Sequence, residues 1–419
     1  MNLNMKSPEL LLAQIQGLSG NAGDLNQLRN YLKQSEEYLQ TESARLPPFL
    51  EELDPAAHSL GYLYILEAST SALVKEQAND FMLKIARFIK LCTAEQIRLA
   101  PDKFVSVCRR FKDQAVSCDD PMRGVSPMLI ALRKLQTSAE HLTTLHPDFL
   151  LLCLLSKSYK TGLSILDDAI YDVDQPRDLL LYCYYGGMIC IGQKQFRKAL
   201  ELLHNVVTAP MPIISAIAVE AYKKYILVSL IHLGQFSAVF PKYTSSAAQR
   251  NVKNFSQPYI DLASKYETGK VSELETFVQS NMEKFESDKN VGLVKQVVSC
   301  MYKSNIHRLT QTYLTLSLQD IANTVQLGSP KEAEMHVLEM IEEGEIYATI
   351  NQKDGMVRFL EDPEEYKSCG MIERMDSSIQ RIMMLSKRLT MMNESMLCDA
   401  TYQGKVGKER PRFDFDDFD

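Results

Sequence analysis

No apolar run in this chain approaches the length of a bilayer span. The richest, Phe149 to Leu155, falls far short of the roughly 20 residues a spanning helix needs. The first residues, Met1-Asn2-Leu3-Asn4-Met5-Lys6, lack the apolar core of a signal peptide, so the expected setting is intracellular and away from membranes. An excess of positive charge is missing as well. Lys and Arg number 46 against 53 Asp and Glu, and the net charge of −7 argues against a broadly basic nucleic-acid surface. The nine cysteines form no Cys-x-x-Cys pair. The nearest two, Cys183 and Cys190, are seven apart, a spacing that suits neither a zinc knuckle nor a redox dithiol, so the thiols read as reduced core residues.

Catalytic signatures are equally scarce. The histidines at positions 58, 141, 146, 204, 232, 307 and 336 form no His-Glu-x-x-His, which leaves a metal-dependent protease without ligands. His141 and His146 could share a helix face, but Pro147 lies beside them, and packing is the simpler reading. There is no Gly-rich phosphate cradle of either common spacing, hence no nucleotide site. Cys153, Cys183 and Cys190 sit among apolar residues with no evident basic neighbour to activate a thiol. The expectation is no catalytic residue, no metal ligand and no cofactor.

What the chain does carry is helical periodicity. Hydrophobic content of 45% with 24% charged residues is ordinary for a folded protein with a sizeable core. Leu10, Leu11, Ile15 and Leu18 mark one helix, and Leu25, Leu28, Tyr31, Leu32 and Tyr38 another. No sustained alternation of period two precedes residue 314. From about 150 to 250 a weak repeat emerges, with aromatic anchors Tyr159, Phe196 and Phe236 spaced by 37 and 40 residues. That is the period of paired-helix arrays, in which each pair buries its apolar face only against its neighbours. In this reading Tyr184-Tyr185-Gly186-Gly187 is a packing motif, its glycines allowing close helix approach.

The most informative stretch is Ser299 to Leu360, which reads as a winged helix. A first helix is expected over Asn305 to Tyr313, followed by a short extended run, Tyr313 to Leu316. Ser317-Leu318-Gln319-Asp320 opens a second helix that Gly328 should end, and Ser329-Pro330-Lys331-Glu332 is a capping box opening a third. That third helix should bury Ala333, Val337, Met340 and Ile341 and end at Gly344. Strands Ile346 to Ile350 and Met356 to Leu360 then flank a loop carrying Asp354-Gly355, forming a wing. Many winged helices read DNA with the third helix, but this one sets Lys331 against Glu332, Glu334, Glu339, Glu342, Glu343 and Glu345 and would repel phosphate. Protein–protein use remains. A wing has a free strand edge, and the expected interface residues are Ile346, Tyr347, Ala348, Thr349 and Ile350 with Met356, Val357, Arg358 and Phe359.

After a break at Asp362-Pro363, Ile372, Met375, Ile379, Ile382, Leu389 and Met396 fall on alternating three- and four-residue steps, interrupted by Ser386 and Asn393. This Met-rich stripe wants either a partner helix or the chain's own solenoid. The final residues read as a disordered end with a sparse basic segment (Lys405, Lys408, Arg410, Arg412). Beyond it Phe413, Phe415 and Phe418 alternate with aspartates, as either a solvated tail or a docking motif.

The expected architecture is mostly α. A right-handed, TPR-like helical-repeat solenoid runs into a winged helix, then a C-terminal helix and a disordered tail. The divisions fall at 1–180, 181–361 (helical part 181–298, winged helix 299–361), 366–398 and 399–419. This arrangement resembles the PCI-domain family shared by the proteasome lid, the COP9 signalosome and an initiation factor. Glu220 to Leu230, Gly292 to Gln296, Leu314 to Ile321, Ile350 to Val357, His58 to Gly61 and Tyr184 to Met188 are most similar to the signalosome branch. The resemblance implies a non-catalytic scaffold supporting cullin deneddylation, found in cytoplasm and nucleus. Its neighbours would be signalosome subunits 1 and 8, its contact with cullin–RING ligases indirect, and it would bind no nucleic acid. It further implies that the wing joins an arc of winged helices and that the C-terminal helix enters a bundle. The alternatives are a PCI subunit of the proteasome lid and, more distantly, a nucleic-acid-binding winged-helix regulator.

Overall fold

A computed structural model describes residues 8–20, 23–71, 78–168, 170–210, 215–241, 244, 246–361 and 369–409. It falls into two compact units, Met1–Ile306 and His307–Asp419.

The first unit is an array of antiparallel helices around one continuous core running from Leu11 to Met301. Helix pairs Leu145–Leu155/Tyr159–Leu166 and Pro176–Gly192/Phe196–Thr208 show how it is built. The turn between the helices of each pair holds one residue in the left-handed region, Lys157 in one (φ 57°) and Lys194 in the other (φ 57°). The N–H after it reaches back five residues: Ser158 to the Cys153 carbonyl at 2.9 Å, and Gln195 to the Cys190 carbonyl at 2.9 Å. This satisfies a carbonyl orphaned at the helix end and reverses the chain within three residues. The same bond and the same backbone recur at Asp119, where Asp120 N–H reaches Ala115, and at Lys289, where Asn290 N–H reaches Phe285.

Glycines set the spacing between helices. A Cβ on Gly187 would lie 3.0 Å from Leu203 Cγ, and one on Gly162 would lie 2.7 Å from Ile189 Cδ1. The Tyr184-Tyr185-Gly186-Gly187 segment is therefore packing. The third aromatic anchor behaves differently from expectation. After Gly234 (φ 66°) residues 235–241 are not helical, because Pro241 would fall inside the helix that Phe236 should start. Instead Phe236 meets the Tyr222 ring edge-on at 6.1 Å and Phe240 stacks on it at 5.5 Å, so the segment straps the helix Ala216–Leu233.

A buried polar network ties the end of this unit to that helix. Lys223 Nζ lies 2.8 Å from Glu220 and 2.9 Å from Asp288. Tyr259 donates to the Asp288 carboxylate at 2.7 Å and accepts from Asn290 at 2.9 Å. Two short strands, β1 (His141–Leu142) and β2 (Asp172–Val173), pair in parallel; their two-residue length gives no alternation to read.

In the second unit, β3 (Thr315–Ser317), β4 (Ala348–Asn351) and β5 (Met356–Phe359) form an antiparallel sheet in the order β3-β5-β4. Helices Leu318–Val325 and Pro330–Glu342 complete the winged helix. Ser317 caps the first, its Oγ accepting from Asp320 N–H at 3.0 Å. The helix stops at Gln326 (φ 65°), two residues before Gly328, through another five-residue bond from Leu327 to Ala322. Ala333, Val337 and Met340 are buried as expected, while Ile341 is only half-buried. The expected helix Asn305–Tyr313 is the end of a continuous one, Val291–Thr312, since Ser304-Asn305 carries no Gly or Pro to stop it. Residues Ala400–Glu409, expected within the disordered tail, form a helix after Asp399, whose carboxylate accepts from Thr401 N–H at 2.8 Å. Phe413, Phe415 and Phe418 lie outside the described residues.

Two outcomes follow from this packing. Lys194→Gly should raise stability by about 0.5–1 kcal/mol, since the left-handed region costs a side chain more than glycine loses in the unfolded chain; urea unfolding measures it. Buried His146 accepts the Thr143 N–H on Nδ1 at 2.9 Å, and desolvation holds its pKa down at about 4. The unfolded chain takes up this proton near pH 6.5 and the folded one does not. Stability should therefore fall from pH 6.5 toward 4 by up to about 3 kcal/mol, and His146→Leu should flatten that decline.

Candidate assembly surfaces

The register of the sheet decides which edge is free. Phe359 N–H donates to the Leu314 carbonyl at 2.9 Å and Leu318 N–H to the Gly355 carbonyl at 2.8 Å, on the β3 side of β5. On the β4 side, Leu360 N–H donates to the Tyr347 carbonyl at 2.7 Å, and Thr349 pairs with Arg358 two residues further along. Antiparallel ladders alternate, so Tyr347, Thr349 and Asn351 turn their backbone groups toward β5 while Ala348 and Ile350 turn theirs outward. β5 is thus the central strand, and the expectation that Met356, Val357, Arg358 and Phe359 form the wing's edge is corrected. The run Leu314–Ser317 occupies the side of β5 that a two-stranded wing would leave open. Val357 (0% exposed) and Phe359 are core residues, as is Ile346; Met356 and Arg358 point away from that core.

Beside the β4 edge lies an open groove of 710 Å³ lined by Leu338, Ile341, Ala348 and Ile350, with Glu334 and Lys353 at its rim. Leu338 also belongs to the outer face of the acidic helix Pro330–Glu342, where it adjoins Met335, Glu339 and Glu342. Met335 (57% exposed) and Leu338 (44%) escaped the sequence reading. They sit opposite the buried 333/337/340 stripe, and their spacing was the available signal.

The helix Cys369–Cys398 has no buried residue in its 30-residue length. Ile372, Met375, Ile379, Ile382 (66% exposed), Leu389 (69%) and Met396 all face solvent. So do Met383, Met384, Leu385, Met391, Met392 and Leu397, which fall outside the three-and-four spacing. An apolar helix surface this extensive is suited to contact on more than one side.

Chemistry is harder to build. Among the described residues no group of three or more His, Cys, Asp or Glu converges as metal ligands. Burial pushes the Cys153 and Cys183 thiols up to about 12 and Cys190 up to about 11, keeping them protonated at neutral pH. No described helix is long and apolar enough to cross a membrane.

A helical-repeat array followed by a winged helix whose β4 has no strand on its outer side among the described residues, and by a helix with an exposed apolar surface, defines a PCI-type scaffold. Residues 278–361 match the PCI domain, and residues 22–248 match the family described as COP9 signalosome complex subunit 3, N-terminal helical repeats. The chain is 60% identical over 417 residues to COP9 signalosome complex subunit 3 of Arabidopsis thaliana, covering 99% of this chain and 97% of that protein. It is 38% identical to the Dictyostelium discoideum protein of the same name, over 90% and 92% of the two chains. The chain belongs to the COP9 signalosome complex subunit 3 family.

The ladder makes a sharp prediction. Thr349→Pro should cost about 1–3 kcal/mol, since it removes a bond to β5, whereas Ala348→Pro should cost less than about 1 kcal/mol; chemical unfolding separates them.

Proposed function

We propose that this chain is a non-catalytic scaffold subunit of a COP9 signalosome, supporting cullin deneddylation and so the regulation of cullin–RING ubiquitin ligases. The observation that carries the reading is similarity along almost the whole chain to proteins named as subunit 3 of that complex. The surfaces are consistent with it: an acidic third helix that repels phosphate, and apolar surface left for other chains, while Cys92, Cys108, Cys153, Cys183 and Cys190 are buried and Cys118, Cys369 and Cys398 are exposed.

In this reading the divisions are 1–180, 181–361, 366–398 and a tail beyond. Signalosome subunits 1 and 8 are its neighbours, contact with cullin–RING ligases is indirect, and the complex works in cytoplasm and nucleus. The β4 edge, through Ala348 and Ile350, joins the wing to an adjacent subunit. Ile372, Met375, Ile379, Ile382, Leu389 and Met396 enter a helical bundle. Phe413, Phe415 and Phe418 serve as a docking motif of the tail. A proteasome-lid role fits the fold but not the named relatives.

A chain ending at Leu360 should keep its helical circular dichroism yet recover markedly less of the complex on co-purification, with partners identified by mass. Undiminished recovery would count against the bundle role, and recovery of lid subunits would replace the signalosome reading.

A further inference from the structure

We propose that the aspartate–phenylalanine end of the chain, Phe413 to Asp419, docks on the methionine face of the same chain's helix Cys369–Cys398 and leaves the opposite face of that helix to other chains. This contact makes the chain itself the receptor for the docking motif read in its tail, and it holds whichever complex the chain joins.

The helix carries two apolar faces. At about 100° per residue, the seam from Ile372 to Met396 occupies a sector of roughly 120°. Met384, Met391 and Ser395 project roughly 180° away from the middle of that sector, with Lys387 and Arg388 on either flank. Met384 (56% exposed), Met391 (60%) and Met392 (54%) line an open hollow of 410 Å³ on this second face, together with Lys387, Arg388 and Ser395. A bundle entered through the seam would leave the second face in water. An apolar floor flanked by cations calls for a segment in which apolar side chains are interleaved with carboxylates.

The tail has that composition. Between Ser377 and Cys398 the helix carries Arg381, Lys387 and Arg388 against Glu394 alone. Phe413-Asp414-Phe415-Asp416-Asp417-Phe418-Asp419 brings phenyl rings and carboxylates and no cation. Phenyl rings suit a methionine surface, because the thioether is favourable at a ring edge and its unbranched side chain adapts to gaps. Arg410 and Arg412, just before the acidic run, compete for its aspartates but offer the rings no apolar surface to cover.

The tail is also long enough. Gln403 Nε2 donates to the Leu397 carbonyl at 2.7 Å, so the helix Ala400–Glu409 starts against the end of the longer one. Were the two helices collinear, Ser395 would lie about 21 Å from Glu409 at about 1.5 Å per residue. The run from Arg410 to Phe418 can span up to about 30 Å, and any bend at Asp399 shortens the path.

Dilute peroxide oxidises exposed methionines, and peptide mass measurement reads each one separately. In the full-length chain by itself, Met384, Met391 and Met392 should oxidise about three- to fivefold more slowly than in a chain ending at Glu409, with Met375 and Met396 of the seam unchanged. The triple variant Phe413→Ala, Phe415→Ala, Phe418→Ala should remove the protection, and Asp→Asn at 414, 416, 417 and 419 should weaken it. Carbodiimide should couple a tail carboxylate to Lys387 within one chain. Equal oxidation with and without the tail overturns the proposal, as does protection shared equally by the seam. Protection that grows with protein concentration, or coupling between isotopically light and heavy chains, would put the tail on a second copy and overturn it too. Neither readout involves assembly: loss of protection leaves the scaffold reading standing, and failure to join the complex leaves the tail contact standing.

Discussion

Four reversals of the array depend on one turn, in which a single residue enters the left-handed region and the next N–H bonds a carbonyl five residues back. Asp119, Lys157, Lys194 and Lys289 all hold this conformation without being glycine, at a cost of roughly 1–2 kcal/mol each. The cost is tolerated because the turn fixes the reversal of direction that lets each pair of helices pack. Once the reversal is fixed, helix separation is set by small residues: Gly162 leaves room for Ile189, and Gly187 for Leu203. The same turn ends both short helices of the winged helix, at Gln326 and Gly344. A single local hydrogen-bond pattern thus organises two units of quite different shape.

That dependence explains which parts of the fold could be read from the sequence. Helices showed through their apolar spacing, and the capping serines of the winged helix fell where their hydroxyls are used. Failures occurred where a nonlocal fact decided the outcome. Nothing within Leu314 to Ser317 says that it lies beside β5, because strand pairing is set by packing across the sheet, and so the sequence reads as a two-stranded wing with β5 at its edge. Pro241 did carry a local signal, one that the 40-residue spacing of the aromatic anchors masked. At Ser304-Asn305 the reverse happened: a helix start is expected at Asn305, yet the half-buried pair Ser304-Asn305 does not interrupt the helix, since neither residue stops one.

The candidate surfaces were legible to the same degree. The heptad spacing picked out Ile372 to Met396 but passed over Met383, Met384, Leu385, Met391 and Met392, since a heptad template counts one seam and ignores the rest of the helix. The acidity of the third helix was visible at once, whereas the Met335–Leu338 patch between its carboxylates became visible only when the opposite face proved to be the buried one.

Magnitudes divide the work between these two surfaces. Burying a fully exposed large apolar side chain contributes about 1.5–3 kcal/mol; the six seam residues of the C-terminal helix are 52–69% exposed, so covering them contributes roughly 5–11 kcal/mol before any cost of association. That cost is about 4–15 kcal/mol, a range the seam overlaps, which makes the helix the larger source of affinity of the two. The β4 edge offers a few backbone hydrogen bonds worth only about 0.5–1.5 kcal/mol each, too little to retain a partner unaided. Their value is directional, because a strand pairs in one register and a slip by one residue would turn its apolar side chains away from Leu338 and Ile341. Methionine adapts to whatever helix it meets, so the C-terminal helix by itself would tolerate many geometries. In the proposed assembly the two surfaces would therefore divide the work, the C-terminal helix supplying affinity and the β4 edge supplying register.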